Sequence, residues 1–278
     1  MDSVFSFVTL AARPEYRVEA VVCREDHTRW SAPEARGGHR LVLVRRGTFR
    51  RRAVGQAADF GRSVGYLGLP DEEENFAHPH GGDECTAISL SPSLWSSMAG
   101  EAPRVARRTL YVDARVDLAH RRILTSAQTG DADYAVVEEL LGLLGEAVGQ
   151  AVAGPNTPVA SASRARDERA LVDAARAAIE QDDPAAIGLL PLAELLGVSP
   201  FRLSRAFPRE LGVSLTHYRN RVRVGRVLDR LEQGERNLSL LAADLGYADQ
   251  AHLCRTVRRH VGHTPTALRK LLASPEFH

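Results

Sequence analysis

A pattern that occurs twice near the C-terminus constrains this chain more than any other feature. The first copy is Leu192-Ala193-Glu194-Leu195-Leu196-Gly197-Val198-Ser199-Pro200-Phe201-Arg202-Leu203-Ser204-Arg205-Ala206-Phe207. A short apolar helix runs into Gly197, the residue type that best adopts the left-handed conformation closing a helix. Ser199 is a good N-cap, and Pro200 suits the first helical position. The second copy is Leu240-Leu241-Ala242-Ala243-Asp244-Leu245-Gly246-Tyr247-Ala248-Asp249-Gln250-Ala251-His252-Leu253-Cys254-Arg255-Thr256-Val257. The order repeats: helix, Gly246, a short turn, Asp249 as N-cap, helix. Leu203 and Phe207 lie four apart, as do Leu253 and Val257, so each pair faces inward. The spacing from glycine to the aligned arginine differs by one residue, 197 to 205 against 246 to 255. Each copy reads as a helix-turn-helix unit.

Between the copies, Ser214 is a good N-cap, and Tyr218, Val222, Val227 and Leu231 fit one long helix to about 233. Arg219, Arg221, Arg223 and Arg226 flank it, and such a helix would hold the two units at a fixed separation. From Ser199 to Lys270 there are 14 Arg and Lys against 6 Asp and Glu, a net charge of +8. The remainder carries 22 against 29, a net of −7, and the 278-residue chain totals +1. A basic surface on an otherwise acidic chain is the electrostatic footprint of a nucleic-acid-binding module. The inward pairs turn Arg202, Arg205 and Arg209 outward in the first unit. In the second, Arg258 and Arg259 extend the face that begins at Arg255.

These residues carry a resemblance. Leu203-Ser204-Arg205-Ala206-Phe207, Glu210-Leu211-Gly212, Tyr218-Arg219, the run from Leu241 to Tyr247, the run from Asp249 to Arg255, and Gly262-His263-Thr264-Pro265 resemble the DNA-binding domain of AraC/XylS-type transcription regulators. The match spans about 190–272. It implies that 199–209 and 249–260 are recognition helices that enter the major groove on one face of double-stranded DNA, about 10 base pairs apart. The family's base-contacting positions fall on Phe201, Ser204 and Arg205, then on Gln250, Ala251, Cys254 and Arg255. Arg can pair with guanine, Gln with adenine, and Ala or Phe can meet a thymine methyl. The arginines of the long helix are expected to hold phosphates. His252 is expected to pack or face phosphate. Cys254 is expected to be a small contact and not a redox switch.

The first half of the chain has another texture. Short apolar runs, such as Leu41-Val42-Leu43-Val44 and Thr86-Ala87-Ile88-Ser89-Leu90, are separated by Gly, Pro and Asp, which suggests a barrel or sandwich. In the regulators resembled, the front domain senses a signal and is often a cupin-type barrel. Leu41 to Phe49 and Ser63 to Pro70 resemble such strands and turns. The usual cupin ligands are missing: only His39 precedes Gly47, and Asn75 stands five residues after Pro70. His78-x-His80-x3-Glu84 is a weak metal candidate for zinc, iron or manganese, and a loop with solvated or hydrogen-bonded histidines is preferred. No metal or cofactor is expected. Asp71-Glu72-Glu73-Glu74 reads as a solvated turn. Cys23 and Cys85 read as buried thiols, with a sensing pair as the minor alternative. Trp30 and Trp95 line a pocket or fill a core.

The expected class is therefore α+β and multidomain. A cupin-like effector or sensor barrel occupies 1–128 and a helix 129–153. A linker covers 154–167, and an all-α double helix-turn-helix domain 168–278. Asp131-Ala132-Asp133 opens the helix, whose apolar stripe is Val136, Val137, Leu140, Leu141, Leu144 and Val148. The stripe packs on its own barrel or makes a dimer contact, and the dimer is preferred. No apolar run reaches the roughly 18 residues of a membrane span, and Met1 to Phe5 lacks the pattern of a signal peptide, so a cytoplasmic protein is expected. Three scattered cysteines argue against a disulfide framework. The expected partners are double-stranded promoter or operator DNA, a second copy of the chain, a small-molecule effector and, as a candidate, RNA polymerase. A non-enzymatic regulator is the first reading. The alternative is a metal-dependent cupin enzyme with a DNA-binding tail. A DNA-repair methyl acceptor ranks last, because no clustered Cys ligands are present.

Overall fold

The computed structural model describes residues 5–100, 105, 108–129, 135–152 and 162–272. The expected helix start at 131–133 and residues 154–161 of the expected linker lie outside them. The chain divides into two compact units, Met1–Gly154 with Val261–His278, and Pro155–His260.

In the first unit the strands are β1 (Phe5–Ala12), β2 (Tyr16–Cys23), β3 (His39–Arg46), β4 (Phe49–Ala53), β5 (Gln56–Phe60), β6 (Val64–Gly68), β7 (Glu74–Ala77), β8 (Asp83–Leu90) and β9 (Thr109–Tyr111). One antiparallel sheet has the order β1-β2-β8-β3-β6-β9, and a second the order β5-β4-β7. The apolar run Leu41 to Val44 is buried on both faces, and β3 has its two edges paired with β8 and β6 inside the larger sheet. The sheets meet over aromatic rings. Phe60 of the smaller sheet is 5.1 Å from Tyr66 of the larger, and Phe49 is 6.2 Å from the same ring. Helices α1 (Pro92–Ala99), α2 (Ala114–Thr129) and α3 (Ala135–Val152) complete the unit, where the sequence predicts one helix, over 129–153, behind a barrel of 1–128. Helix α10 (Pro265–Leu272) groups with it through contact with α2.

Three particulars bear on the expectations. The acidic run is not a solvated turn. Glu74 is 3% exposed and pairs with Arg40 and, at 2.5 Å, with Arg51, while Glu72 lies 3.2 Å from Arg51 and 3.0 Å from Arg108. Only Asp71 and Glu73 of the four are exposed. In the stripe of α3, Val136, Leu140, Leu144 and Val148 are buried in the core of their own unit, and Leu141 faces out at 45% exposure. Cys23 and Cys85 are buried free thiols. Trp95 belongs to the core, stacked 4.0 Å from His39, whereas Trp30 receives the guanidiniums of Arg50 and Arg52.

The second unit is helical: α4 (Ala162–Glu180), a single 3-10 turn (Pro184–Ile187), α5 (Leu189–Leu195), α6 (Pro200–Leu211), α7 (Leu215–Glu232), α8 (Leu238–Asp244) and α9 (Gln250–Val261), whose last residue passes into the other unit. Helix α4 begins at Ala162, inside the 154–167 stretch expected as linker. No described helix is long and apolar enough to cross a membrane.

Removing one partner of a buried charge network leaves the others desolvated and unpaired, at a cost of about 3–5 kcal/mol. Glu74→Ala is therefore expected to lose that much stability, and the exposed Glu73→Ala less than about 0.5 kcal/mol. Urea denaturation followed by tryptophan fluorescence checks this, since Trp30 and Trp95 both belong to the first unit. A second expectation concerns acid. His120 of α2 is buried, 2.7 Å from the Thr86 hydroxyl, and burial, helped by Arg45, lowers its pKa to about 3. The unfolded state then binds the extra proton first. Its contribution is complete above the ordinary histidine pKa of about 6.5 and is lost as pH falls from there toward 3. A His120→Leu variant is expected to show a flatter stability profile over that window in the same denaturation assay.

Candidate nucleic-acid interface

Helices α5 and α6 form the first helix-turn-helix unit, and α8 and α9 the second. Each turn opens on a glycine with positive φ, 63° at Gly197 and 66° at Gly246, where a side chain would be strained. Each second helix is capped as its sequence predicts. The Ser199 hydroxyl accepts from the Arg202 amide at 3.2 Å, and the Asp249 carboxylate accepts from the His252 amide at 2.6 Å. Leu203, Phe207, Leu253 and Val257 are fully buried, which rotates the opposite faces of α6 and α9 outward.

On α6 that face carries Phe201, Arg202, Arg205 and Arg209, all exposed, with Ser204 half-buried. The Arg205 guanidinium stands 4.9 Å over the Phe201 ring, so two of the expected base-contacting residues are already assembled. The Ser204 hydroxyl donates to the Phe201 carbonyl at 3.1 Å. Arg209 is engaged, 2.8 Å from Glu168 of α4. On α9, Gln250, Ala251, Arg255 and Arg258 are exposed and Cys254 is half-buried. The Ser239 hydroxyl donates to the Gln250 side-chain oxygen at 2.8 Å. His252 packs: its ring meets Tyr247 edge-on at 5.4 Å and its Nδ1 accepts from the Ala248 amide at 3.3 Å. Among the described residues, none of Arg202, Arg205, Arg255, Arg258 and Arg259 pairs with a carboxylate.

Three of the four α7 arginines expected to hold phosphates are engaged within their own unit. Arg223 stacks on the Tyr247 ring at 4.0 Å, donates to the Leu245 carbonyl at 3.1 Å, and also donates to the Gly246 carbonyl. Arg226 reaches Asp182 at 2.5 Å and the Glu180 carbonyl at 3.0 Å. Arg221 is buried. Arg223 and Arg226 satisfy carbonyls and acids that end other helices. Burial lowers the Arg223 pKa, and burial raises that of Tyr247 to about 12. Tyr218 joins α4 and α6: its hydroxyl is 2.5 Å from Glu180 and its ring 5.4 Å from Phe207. Sequence reasoning missed the Arg223 clamp, although an aromatic residue directly after the turn glycine was its visible half.

In the first unit, His78, His80 and Glu84 do not converge. His78 is buried, His80 is exposed in the turn before β8, and Glu84 points to Arg46 at 3.6 Å. Alternation along β8 explains it, since Glu84 faces opposite to its neighbours Asp83 and Cys85. A separate open cavity of about 520 Å³ is lined by Arg52, Leu69, Asp71, Asn75 and Arg108, among others.

Residues 192–271 match a family model described as "Helix-turn-helix domain". An uncharacterized HTH-type transcriptional regulator of Haemophilus influenzae is 28% identical over 79 residues, 28% of this chain and 26% of the relative. The chain thus matches about a quarter of that relative's length. Among solved structures, the C-terminal domain of AraT, a response regulator from Geobacillus stearothermophilus, is 27% identical with a TM-score of 0.36, over 39% of this chain and 91% of that one. Fatty-acid-bound ToxT of Vibrio cholerae is 8% identical with a TM-score of 0.38, over 96% and 99%. By its sequence match and its two capped units, the segment 192–271 is a helix-turn-helix domain.

Proposed function

We propose that the chain is a sequence-specific DNA-binding transcriptional regulator of the AraC/XylS type, cytoplasmic and not an enzyme. One observation carries this reading. Two identically capped helices in one compact unit present arginines without carboxylate partners, next to small, amide and aromatic side chains. A buried guanidinium could not reach a base, and Arg202, Arg205, Arg255 and Arg258 are exposed and without carboxylate partners among the described residues. Phe201, Ser204, Arg205, Gln250, Ala251, Cys254 and Arg255 are the proposed base-contacting set, with Arg202, Arg209 and Arg258 beside them. The Arg209–Glu168 pair does not remove Arg209 from the set. An exposed ion pair is worth at most about 1 kcal/mol, less than the roughly 1–3 kcal/mol of a bidentate arginine–guanine contact.

The same reading keeps residues 168–278 as the DNA-binding domain, with 129–153 as a helix behind a sensor barrel of 1–128. An effector would bind in the barrel and alter how the two recognition helices meet DNA, and the 520 Å³ cavity beside Arg52, Asn75 and Arg108 is the place we assign to it. Homodimer formation and contact with RNA polymerase belong to the reading. Because Val136, Leu140, Leu144 and Val148 are buried in their own unit, a dimer surface would have to lie elsewhere.

The test is selection of genomic fragments by the full-length protein, followed by a salt series on the best site. Two short sequence blocks about 10 base pairs apart are expected. Binding that is weak, indifferent to sequence and steeply salt-dependent, with and without cell extract, would overturn the reading. On the recovered site, Arg205→Ala and Arg255→Ala are each expected to weaken binding roughly 5- to 150-fold, the equivalent of about 1–3 kcal/mol. Each should relax preference in its own block only, as competition with single-base variants of the site would show.

A further inference from the structure

We propose that Cys23, Glu25 and His78 form a binding site for a divalent transition metal of the zinc class, through Sγ, a carboxylate oxygen and Nδ1. The site belongs to the first unit and does not depend on the DNA-binding reading. It shares only His78 with the motif that the sequence offered.

The fold brings these residues together from distant places. Cys23 ends β2 and pairs in register with Asp83, which begins β8. His78 directly follows β7. Gly82 permits the approach, because a Cβ there would stand 2.1 Å from the Cys23 carbonyl oxygen. His78 Nδ1 lies 3.8 Å from Cys23 Sγ and 3.4 Å from a Glu25 carboxylate oxygen. Ligand bonds of about 2.3 Å to sulfur and 2.0–2.2 Å to nitrogen and oxygen give tetrahedral edges of roughly 3.6 Å for S···N and 3.4 Å for N···O. The observed separations are close to both edges. All three donor atoms lie within 4.8 Å of one another.

The surroundings fit as well. His78 Nε2 lies 2.9 Å from Asp83 Oδ1, so the carboxylate orients the ring with Nδ1 toward Cys23 and Glu25. The other Asp83 oxygen accepts from the Cys85 thiol at 2.7 Å. Asp83 is thereby occupied on both sides, and we assign it as a positioning residue and not a ligand. The His78 amide donates to the His27 carbonyl at 3.1 Å, which fixes the backbone. Cys23 and His78 are each 3% exposed, while Glu25 is half-buried and gives an ion a way in. His27 Nε2 is 3.4 Å from the same Glu25 oxygen, next to the place a fourth ligand would take. One thiolate, one imidazole and one carboxylate suit Zn2+. Mg2+ and Ca2+ prefer oxygen donors. The thiol and His78 give up protons to solvent as the ion enters.

The test uses the full-length protein, stripped with a chelator and titrated with Co2+ and then Zn2+. One equivalent of Co2+ is expected to bind with a thiolate-to-cobalt charge-transfer band in the near ultraviolet and the visible bands of a four-coordinate ion. Zn2+ should displace them. Cys23→Ser should abolish the charge-transfer band, and Cys254→Ser should leave it intact. Asp83→Asn should keep the band but weaken binding about 10- to 100-fold, as loss of an orienting carboxylate does. Circular dichroism checks that each variant folds, and if Cys23→Ser does not, Glu25→Gln on the half-buried position must weaken Co2+ binding at least tenfold. No stoichiometric uptake by the wild-type chain would overturn the proposal. So would a band that survives Cys23→Ser or that depends on Cys254. In either event the cluster is a buried ion pair of His78 with Asp83 and Glu25.

Discussion

The grip of Arg223 on the second turn is the interaction on which the helical unit most depends. A turn that closes on a left-handed glycine leaves carbonyls pointing away from any helix partner. At Leu245 and Gly246 those carbonyls are taken by one guanidinium, whose flat face covers the Tyr247 ring. Arginine suits the place because its planar fork can donate along the edge and stack on the face together. A lysine would supply a point charge and lose the stacking. Since Arg223 is fixed on α7, the turn that aims α9 is fixed to α7 as well. Nearer the start of α7, Tyr218 bonds to Glu180 and packs against Phe207 of α6. One long helix therefore sets both α6 and α9, and it does so with polar contacts that have definite directions.

This changes what the local charge means. A net of +8 over Ser199 to Lys270 reads as a basic surface, yet Arg221, Arg223 and Arg226 are spent inside the unit. Arg202, Arg205, Arg255, Arg258 and Arg259 on α6 and α9 lack carboxylate partners among the described residues. A broad basic helix would bind DNA at many registers with similar strength. Basic residues confined to two narrow faces favour a few registers. The internal arginines add to the net charge of the segment without adding to its free basic surface.

What the sequence made legible followed from short-range chemistry. Gly197, Ser199, Pro200, Gly246 and Asp249 act within three residues of themselves, and each does in the structure what its type predicts. The inward pairs of α6 and α9 follow from helical period alone. Contacts made across long separations were hidden. Glu74 looked like part of a solvated acidic turn because Arg40 and Arg51, its partners, stand 34 and 23 residues away. Cys23 and His78 are 55 residues apart, and only the β2–β8 register and the close approach at Gly82 join them. Conversely, His78-x-His80-x3-Glu84 looked compact in sequence and is splayed in space, because one member is buried, one is in the turn and one is on the far face of β8.

The short strand β7 shows how the first unit is held. It has four residues, lies at the edge of a three-stranded sheet, and would be marginal on its ladder to β4 alone. The segment between β2 and β3 covers its open edge: Ser31 donates to the Phe76 carbonyl at 2.7 Å, and Glu34 and Glu74 exchange backbone bonds of 2.9 and 2.8 Å. Each end of the strand is then fastened by buried polar groups. Glu74 draws in Arg40 of β3 and Arg51 of β4. Just past the other end, His78 draws in Cys23, Glu25 and Asp83. The apolar rings between these ends pack in many directions, whereas the two polar clusters accept few. A metal at the second cluster would join β2, the covering segment and the end of β7 through three bonds. The position of β7 against the larger sheet would then depend on an ion as much as on hydrophobic packing.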